Sequence, residues 1–150
     1  MDAVIQKDKT GCGFASVAML AGVSYSEVKA LAHRLGIQAE DDALYSDTAY
    51  VRTLLHEYQI AVSEKKQPFV SWATLPPRAL LSIKFKEISG KRYWHWVVFC
   101  RAGNQAYVLD PSPNIMQPVR TDFGRMKPKW SLAVQSRKRG RGVLTQNKPG

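Results

Sequence analysis

Cys12 is the residue of this chain with the clearest potential for chemistry. It stands between Gly11 and Gly13 in the segment KTGCGFASVAML, residues 9–20, and an almost wholly apolar run follows it. That run predicts a buried helix that begins at the cysteine. A helix N-terminus or a nearby imidazolium lowers the pKa of a thiol and makes it a useful nucleophile. The two glycines remove side-chain bulk, which is expected to leave the backbone open to a ligand.

Three histidines are candidates for the base that a nucleophilic cysteine needs. His33 and His56 fall outside the apolar stripes of their predicted helices and are expected at the surface. His95 differs, because it lies within the strand-like segment YWHWVVFC, residues 93–100. It is therefore the predicted partner of Cys12.

The register of a predicted hairpin supplies a carboxylate for His95. Gly103-Asn104 is a good two-residue turn, and with these residues as the loop Asp110 lies diagonally across from His95 on one face of the sheet. A change of one residue in the loop would move Asp110 to the other face. Cysteine, histidine and carboxylate in this arrangement predict a thiol-hydrolase triad of Cys12, His95 and Asp110.

A thiol hydrolase also needs hydrogen-bond donors for the oxyanion of its tetrahedral intermediate. Gln6, six residues before Cys12, can offer a side-chain N–H beside the backbone N–H of Cys12. Polar residues near a chain terminus are usually solvated. The candidacy of Gln6 therefore rests on its combination with the triad.

Hydrophobic periodicity divides the chain into a helical first half and a strand-rich second half. The first helix follows Cys12 and is apolar on all sides, which is typical of a central, buried helix. The second begins at a Ser24–Glu27 capping box and ends near Gly36, and a third follows residues 46–47. The inner face of the second helix is expected to comprise Val28, Leu31, Ala32 and Leu35. Strands are predicted at residues 79–85, 93–100, 106–110 and 130–135.

Helices followed by antiparallel strands predict an α+β fold with the central helix packed on a C-terminal sheet. Trp94, Trp96 and Cys100 alternate with His95, so they are expected on the opposite face of their strand, in the core. Cys100 is then a small buried apolar residue.

Composition restricts the class of protein. The chain has 150 residues, of which 45% are apolar, and this is enough for one domain with a core. Two cysteines make no disulfide framework, and no CxxC pair or clustered His/Cys pattern indicates zinc, so no cofactor or metal is expected. The N-terminus lacks a signal-peptide apolar region, and no apolar run approaches the length of a membrane span. We expect a reduced, soluble, cytoplasmic protein, with secretion as an effector or toxin left open.

The formal net charge is +10, and the basic excess lies in the second half of the chain. The tail SRKRGRGVLTQNKPG, residues 136–150, contains five basic residues and no acidic ones. Such a tail can bind nucleic acid, but it is more often a solvated, flexible terminus. We therefore predict a domain at residues 1–135 and a flexible basic tail at residues 136–150.

Two segments together carry a resemblance to a known family. QKDKTGCGFASVAMLAG (residues 6–22) and HWVVFCRAGNQAYVLDPS (residues 95–112) resemble the bacteriocin-processing, double-glycine leader peptidases, which are papain-like cysteine proteases. The resemblance covers residues 4–135 and depends on the combined order of Gln, Cys-Gly, His and Asp-Pro. The family commonly has an aspartate just before its Cys-Gly pair, whereas Gly11 stands here.

This resemblance implies a papain-like fold and a cysteine peptidase that cleaves after Gly-Gly. It implies that Gln6 is the oxyanion-hole residue, Cys12 the nucleophile, His95 the general base and acid, and Asp110 the orienting carboxylate. The implied partner is a peptide or protein substrate.

Two alternatives remain open from the sequence. One is a catalytically inactive module on the same fold that binds a peptide or nucleic acid, and the other is a thiol acyltransferase with the same triad. A pure binding module has no need of Cys12 or His95, so their presence favours an enzyme. The natural substrate is left open.

Overall fold

Three helices form in the first half of the chain, as the periodicity predicts. In the computed structural model, which describes residues 1–135, α1 spans Cys12–Ala21, α2 spans Tyr25–Arg34 and α3 spans Ala49–Glu57. Every residue of α1 is buried, in keeping with a sequence that is apolar on all sides. The predicted tail at residues 136–150 lies outside the described residues.

The two ends of α2 decide which of its residues reach the core. The Ser24 side chain accepts a hydrogen bond from the Glu27 N–H at 3.1 Å, so the predicted N-cap is confirmed. After the helix, the N–H of Ile37 donates to the Ala32 carbonyl at 2.8 Å, a Schellman-type closure that packs Ile37 against the core. The predicted inward position of Leu35 is wrong: this residue follows the last helical one and is 43% exposed.

Within residues 1–135, the second half of the chain forms six strands in one sheet. The strands are β1 Gln67–Pro68, β2 Arg78–Ile88, β3 Lys91–Ala102, β4 Gln105–Leu109, β5 Val119–Arg120 and β6 Trp130–Ala133. Their order across the sheet is β1-β6-β2-β3-β4-β5, and all pairs are antiparallel. The four predicted strands correspond to β2, β3, β4 and β6, and the fold class is α+β. With two residues each, β1 and β5 are too short for the alternation that predicts a strand.

Shorter elements connect these strands and helices. A single-turn helix, α4, spans Phe123–Met126, and two 3₁₀ turns span Asp42–Ser46 and Trp72–Thr74. Of the helices within residues 1–135, none is long and apolar enough to cross a membrane.

The β3–β4 hairpin has the predicted two-residue turn. Ala102 pairs with Gln105, and the left-handed φ of +61° at Gly103 is the conformation for which glycine is favoured in such turns. The register continues to a pairing of Val98 with Leu109. The strand ends at Leu109, one residue earlier than predicted, because Pro111 has no N–H with which to continue the pairing with β3.

At one end of the sheet, β2 and β3 continue as a two-stranded ribbon. β6 pairs with β2 only over residues 79–82, and β4 pairs with β3 only over residues 98–102. Among the residues that the structure describes, residues 86–88 of β2 and 91–93 of β3 therefore pair with each other alone. A β-bulge separates this ribbon from the sheet, because two residues of β2, 84 and 85, stand opposite one residue of β3.

Separate groups of buried side chains cover the two faces of the sheet. Trp94, Trp96 and Cys100 belong to the cluster that includes α1, which confirms their predicted place in the core. Val97 and Phe99 belong to a smaller cluster on the other face. The helices thus cover one face of β3, and α1 packs directly on this strand.

The glycines that flank Cys12 provide room for two tyrosine hydroxyls. A Cβ atom at Gly11 would overlap the hydroxyl of Tyr25, and one at Gly13 would overlap the hydroxyl of Tyr50. All four residues are buried. The prediction that these glycines leave the backbone open to a ligand is therefore wrong; they allow the helices to pack closely around the cysteine.

We expect Gly11→Ala to lower the free energy of unfolding by about 1–3 kcal/mol, because overpacking a filled site forces its neighbours apart. In a Tyr25→Phe background the cost should be smaller, since the atom that the new methyl group overlaps is absent. Chemical denaturation of the four proteins of this double-mutant cycle measures the difference. An equal cost in both backgrounds would contradict the packing described here.

Candidate active site

Cys12 is the first residue of α1, and the preceding turn holds it in place. Gly11 is the N-cap of the helix, and its N–H donates to the carbonyl of Asp8 at 3.0 Å. The hydroxyl of Thr10 donates to the carbonyl of Ala39, which ties the same turn to the chain after α2. The first N–H groups of an α-helix have no partner within the helix. The backbone N–H of Cys12 is one of these groups and stands directly beside its own thiol.

The thiol of Cys12 lies against an open edge of β3. Counted back from the hairpin, the N–H groups of alternate β3 residues face β4, and Trp96 is one of them. Because β4 ends at Leu109, no strand of the described residues pairs with this part of the edge. The N–H of Trp96 instead donates to Sγ of Cys12 at 3.5 Å. The thiol thus lies at the part of the β3 edge that β4 leaves unpaired.

His95, the residue before Trp96 on β3, binds the predicted carboxylate. Its Nε2 lies 2.7 Å from Oδ1 of Asp110; the imidazole is 15% exposed and the carboxylate is fully buried. Because Asp110 occupies Nε2, Nδ1 is the ring nitrogen that remains for the thiol of Cys12, and the two residues line the same cavity. The structure therefore brings Cys12, His95 and Asp110 together.

Opposing effects set the protonation of His95. Burial lowers the pKa of the ring, but the hydrogen bonds to Asp110 and Cys12 outweigh burial and raise the pKa to about 9. The ring is consequently an imidazolium at neutral pH.

Asp110 remains ionised although it is fully buried. Burial raises its pKa, but hydrogen bonds from His95, the Ser112 N–H and Arg120 together lower the pKa to about 2. The Ser112 N–H donates to Oδ1 at 3.0 Å, and Nη1 of Arg120 donates to Oδ2 at 2.8 Å. Each carboxylate oxygen is therefore fixed in direction, which leaves the carboxylate little freedom to turn away from the imidazole.

Arg120 is a site residue that sequence reasoning missed. It lies in the two-residue strand β5, where it pairs with Val108. Val108 is two residues before Asp110 and therefore on the same face of the chain. Asp122 in turn binds the Arg120 guanidinium at two positions, 2.8 and 3.0 Å. The closely spaced Arg120 and Asp122 were the available sequence signal, but such a pair is common on protein surfaces and gives no indication of a buried carboxylate ten residues earlier.

Gln6 lies beside the triad, and its side chain is already hydrogen-bonded. Its backbone N–H donates to the carbonyl of Pro111 at 2.9 Å, which fixes it next to Asp110. Its Nε2 donates to the carbonyls of Asp8 at 3.0 Å and Lys9 at 3.2 Å. The amide thus braces the turn before Cys12. Its predicted role as an oxyanion donor requires one of these two bonds to open.

Two cavities meet at His95. One, of about 380 Å³, contains Cys12 and His95 and is walled by side chains of the β2–β3 ribbon. The other, of about 450 Å³, contains His95 and Gln6 together with residues 112–114. His33 and His56 are exposed on α2 and α3, as predicted, and line neither cavity. Within residues 1–135, no group of three or more His, Cys, Asp or Glu side chains is placed to hold a metal ion.

Comparison with known proteins gives a likeness in structure. The chain is similar to a double-glycine-motif protease from an AMS/PCAT transporter, whose crystal structure was solved in complex with the leader peptide. The TM-score is 0.54, the sequence identity is 18%, and the match covers 89% of each chain. No protein-family model matches the sequence, and no curated protein matches it. At this identity the similarity is one of fold.

The raised pKa of His95 can be measured directly. We expect its ring to titrate near pH 9 in the wild type and at a lower pH in Asp110→Asn, because the carboxylate is what stabilises the imidazolium. NMR spectra of the histidine rings across the pH range follow both proteins. An unchanged midpoint for His95 in Asp110→Asn would contradict the pairing.

Proposed function

We propose that this chain is a cysteine peptidase in which Cys12 is the nucleophile, His95 the general base and acid, and Asp110 the residue that orients His95. The observation that best supports the proposal is the placement of the His95 imidazole, which binds a buried carboxylate and lines the same cavity as the Cys12 thiol. A base that activates a nucleophile and is itself oriented by a third group is the basis of thiol and serine hydrolysis.

The reaction follows from this arrangement. The Cys12 sulfur attacks the carbonyl carbon of the scissile peptide bond, while its proton resides on His95. The tetrahedral intermediate then collapses, the C–N bond breaks, and His95 gives its proton to the departing amine. A water molecule, deprotonated by His95, hydrolyses the resulting thioester and restores the free thiol. Asp110 keeps the ring in the same tautomer and orientation throughout.

Donors for the oxyanion come from the start of α1. The backbone N–H of Cys12 has no partner within the helix, and the positive end of the helix dipole lies at the same point. Gln6 is the proposed second donor. Its Nε2 can turn from the Asp8 or Lys9 carbonyl towards the oxyanion, because those two carbonyls lie in the turn that leads to the nucleophile.

We propose a papain-like fold for this chain and a peptide as its substrate. The structural similarity to a double-glycine-motif protease supports this fold, and the leader peptide bound to that protein supports a peptide as substrate. Cleavage after Gly-Gly is the first specificity to examine, because the resemblance in the Cys-Gly and Asp-Pro segments implies it.

The chain contains a matched control for the nucleophile. We expect iodoacetamide at about pH 6 to modify Cys12 at least about 10-fold faster than Cys100, because Cys12 faces an imidazolium whereas burial raises the pKa of the Cys100 thiol. Mass spectrometry of the modified peptides measures both rates. Cys12→Ser should abolish hydrolysis of a Gly-Gly peptide library and labelling by a peptidyl chloromethyl ketone, and Cys100→Ser should retain both. Equal alkylation at the two cysteines would defeat the proposal.

The three histidines provide a second test. We expect His95→Ala to reduce kcat/KM by about 10³-fold or more, because the nucleophile and its base act as a unit. His33→Ala and His56→Ala should leave hydrolysis unchanged, since both side chains are exposed on helices away from the thiol. An essential His33 or His56 would show that the base is misassigned.

A further inference from the structure

Lys84 stands at the β-bulge of β2, next to the proposed reaction centre. The bulge lies where the pairing of Ile83 with His95 gives way to the pairing of Lys86 with Tyr93. Lys84 has a left-handed φ of +54°, a conformation that residues other than glycine seldom adopt. Bulges re-aim side chains and occur often next to active sites. Strain of this kind, once observed, points to a functional constraint at the position.

The strained lysine lies where three cavities meet. Lys84 lines the 380 Å³ cavity that contains Cys12 and His95, the 450 Å³ cavity that contains Gln6, and a third cavity of about 620 Å³ beside Arg120. A side chain in this position lies next to any peptide that passes from one cavity to another across the thiol.

The cavity that contains the thiol is strongly basic. Its lining includes Lys9, Lys84 and Lys86 and no acidic residue. Within residues 1–135, no acidic side chain lies within ion-pair distance of Lys84 or Lys86. Within the described part of the chain, the charges of Lys84 and Lys86 therefore have no acidic partner in an ion pair.

The neighbouring cavity offers little compensation. Asp8 is the acidic residue of its lining, and its carboxylate already binds the Lys29 ammonium at 3.0 Å and the Tyr25 hydroxyl at 2.6 Å. Lys7 contributes further positive charge to the same lining. A cleft of one charge sign, walled by low-dielectric protein, concentrates ligands of the opposite sign and disfavours ligands of its own sign.

We propose that Lys84 and Lys86 select peptides that carry a glutamate or aspartate close to the scissile bond. This inference rests on the proposed peptidase function and names the substrate class of the same site. The carboxylate lies in the 380 Å³ cavity between the two ammonium groups. The apolar parts of Ile88, Tyr93 and Trp94, which line the same cavity, pack against the adjoining peptide chain.

Matched peptide pairs test the selection. Each pair differs only by Glu or Gln at one position, scanned along both sides of the scissile bond of any peptide that the enzyme cleaves. We expect kcat/KM to favour the Glu member by about 3- to 10-fold at one or two positions, and the preference to shrink as salt is raised. Lys84→Gln and Lys86→Gln should each reduce this ratio towards one. Lys65→Gln is the control, because it removes an exposed lysine that lines none of the three cavities.

The ratio of kcat/KM for the Glu peptide to that for the Gln peptide separates failure of this inference from failure of the proposed function. Hydrolysis that depends on Cys12 but shows no Glu preference at any position would overturn the selection and leave the peptidase intact. A Lys84→Gln variant that slows all peptides equally and shifts the pH profile of alkylation would show that the lysine acts on the thiol rather than on the substrate. That result too would overturn the inference.

Binding gives a readout that needs no turnover. Fluorescence anisotropy of labelled Glu and Gln peptides is measured with Cys12→Ala, alone and combined with Lys84→Gln or Lys65→Gln. We expect tighter binding of the Glu peptide that is lost with Lys84→Gln and kept with Lys65→Gln. Equal affinity for both peptides would refute the selection. A single-stranded oligonucleotide that binds more tightly, depends on Lys84 and displaces the peptides would also refute it, because this result would assign the basic cleft to nucleic acid.

Discussion

A buried negative charge, the carboxylate of Asp110, is the constraint on which the rest of the site depends. An ionised carboxylate without water is very unfavourable unless donors replace the lost hydration. Here the donors come from β3, from the Ser112 N–H and from β5, so three separate parts of the chain must converge before the charge can be buried. The orientation of His95 is therefore a consequence of solvating Asp110. The same hydrogen bonds therefore stabilise this region of the fold and fix the orientation of the imidazole.

The departure of β4 from the sheet is the second requirement. Were β4 longer, its backbone would occupy the edge of β3 at which the N–H of Trp96 now meets the Cys12 sulfur. Pro111 has no N–H to continue the ladder, and its carbonyl accepts from the Gln6 N–H instead. Pro111, the residue after Asp110, thus ends β4, leaves the edge of β3 open to the thiol and fixes the N-terminal segment.

Local signals predicted the parts of this arrangement that depend on neighbours in sequence. The Gly103 turn fixes the hairpin register and with it the approach of Asp110 to His95, and the apolar run after Cys12 predicts α1. Contacts between distant residues escaped prediction. Arg120 reaches Asp110 through a strand too short to have a period, the two tyrosines that fill the space beside the glycines come from other helices, and the bulge at Lys84 has no glycine to mark it. Periodicity misplaces Leu35 because α2 ends at Arg34, so Leu35 lies outside the helix and does not follow its inner face.

The ribbon formed by the ends of β2 and β3 has a consequence for how this fold can diversify. It walls the cavity next to Cys12, yet beyond the bulge its strands pair only with each other within residues 1–135. A two-stranded ribbon is held far less firmly than the six-stranded sheet. Insertions, deletions or changes of twist in it leave the hydrogen bonds of Asp110 untouched. The wall and the buried triad are thus separate modules, and the wall can be remodelled over generations, or grafted by an engineer, at little cost to the foldability of the domain.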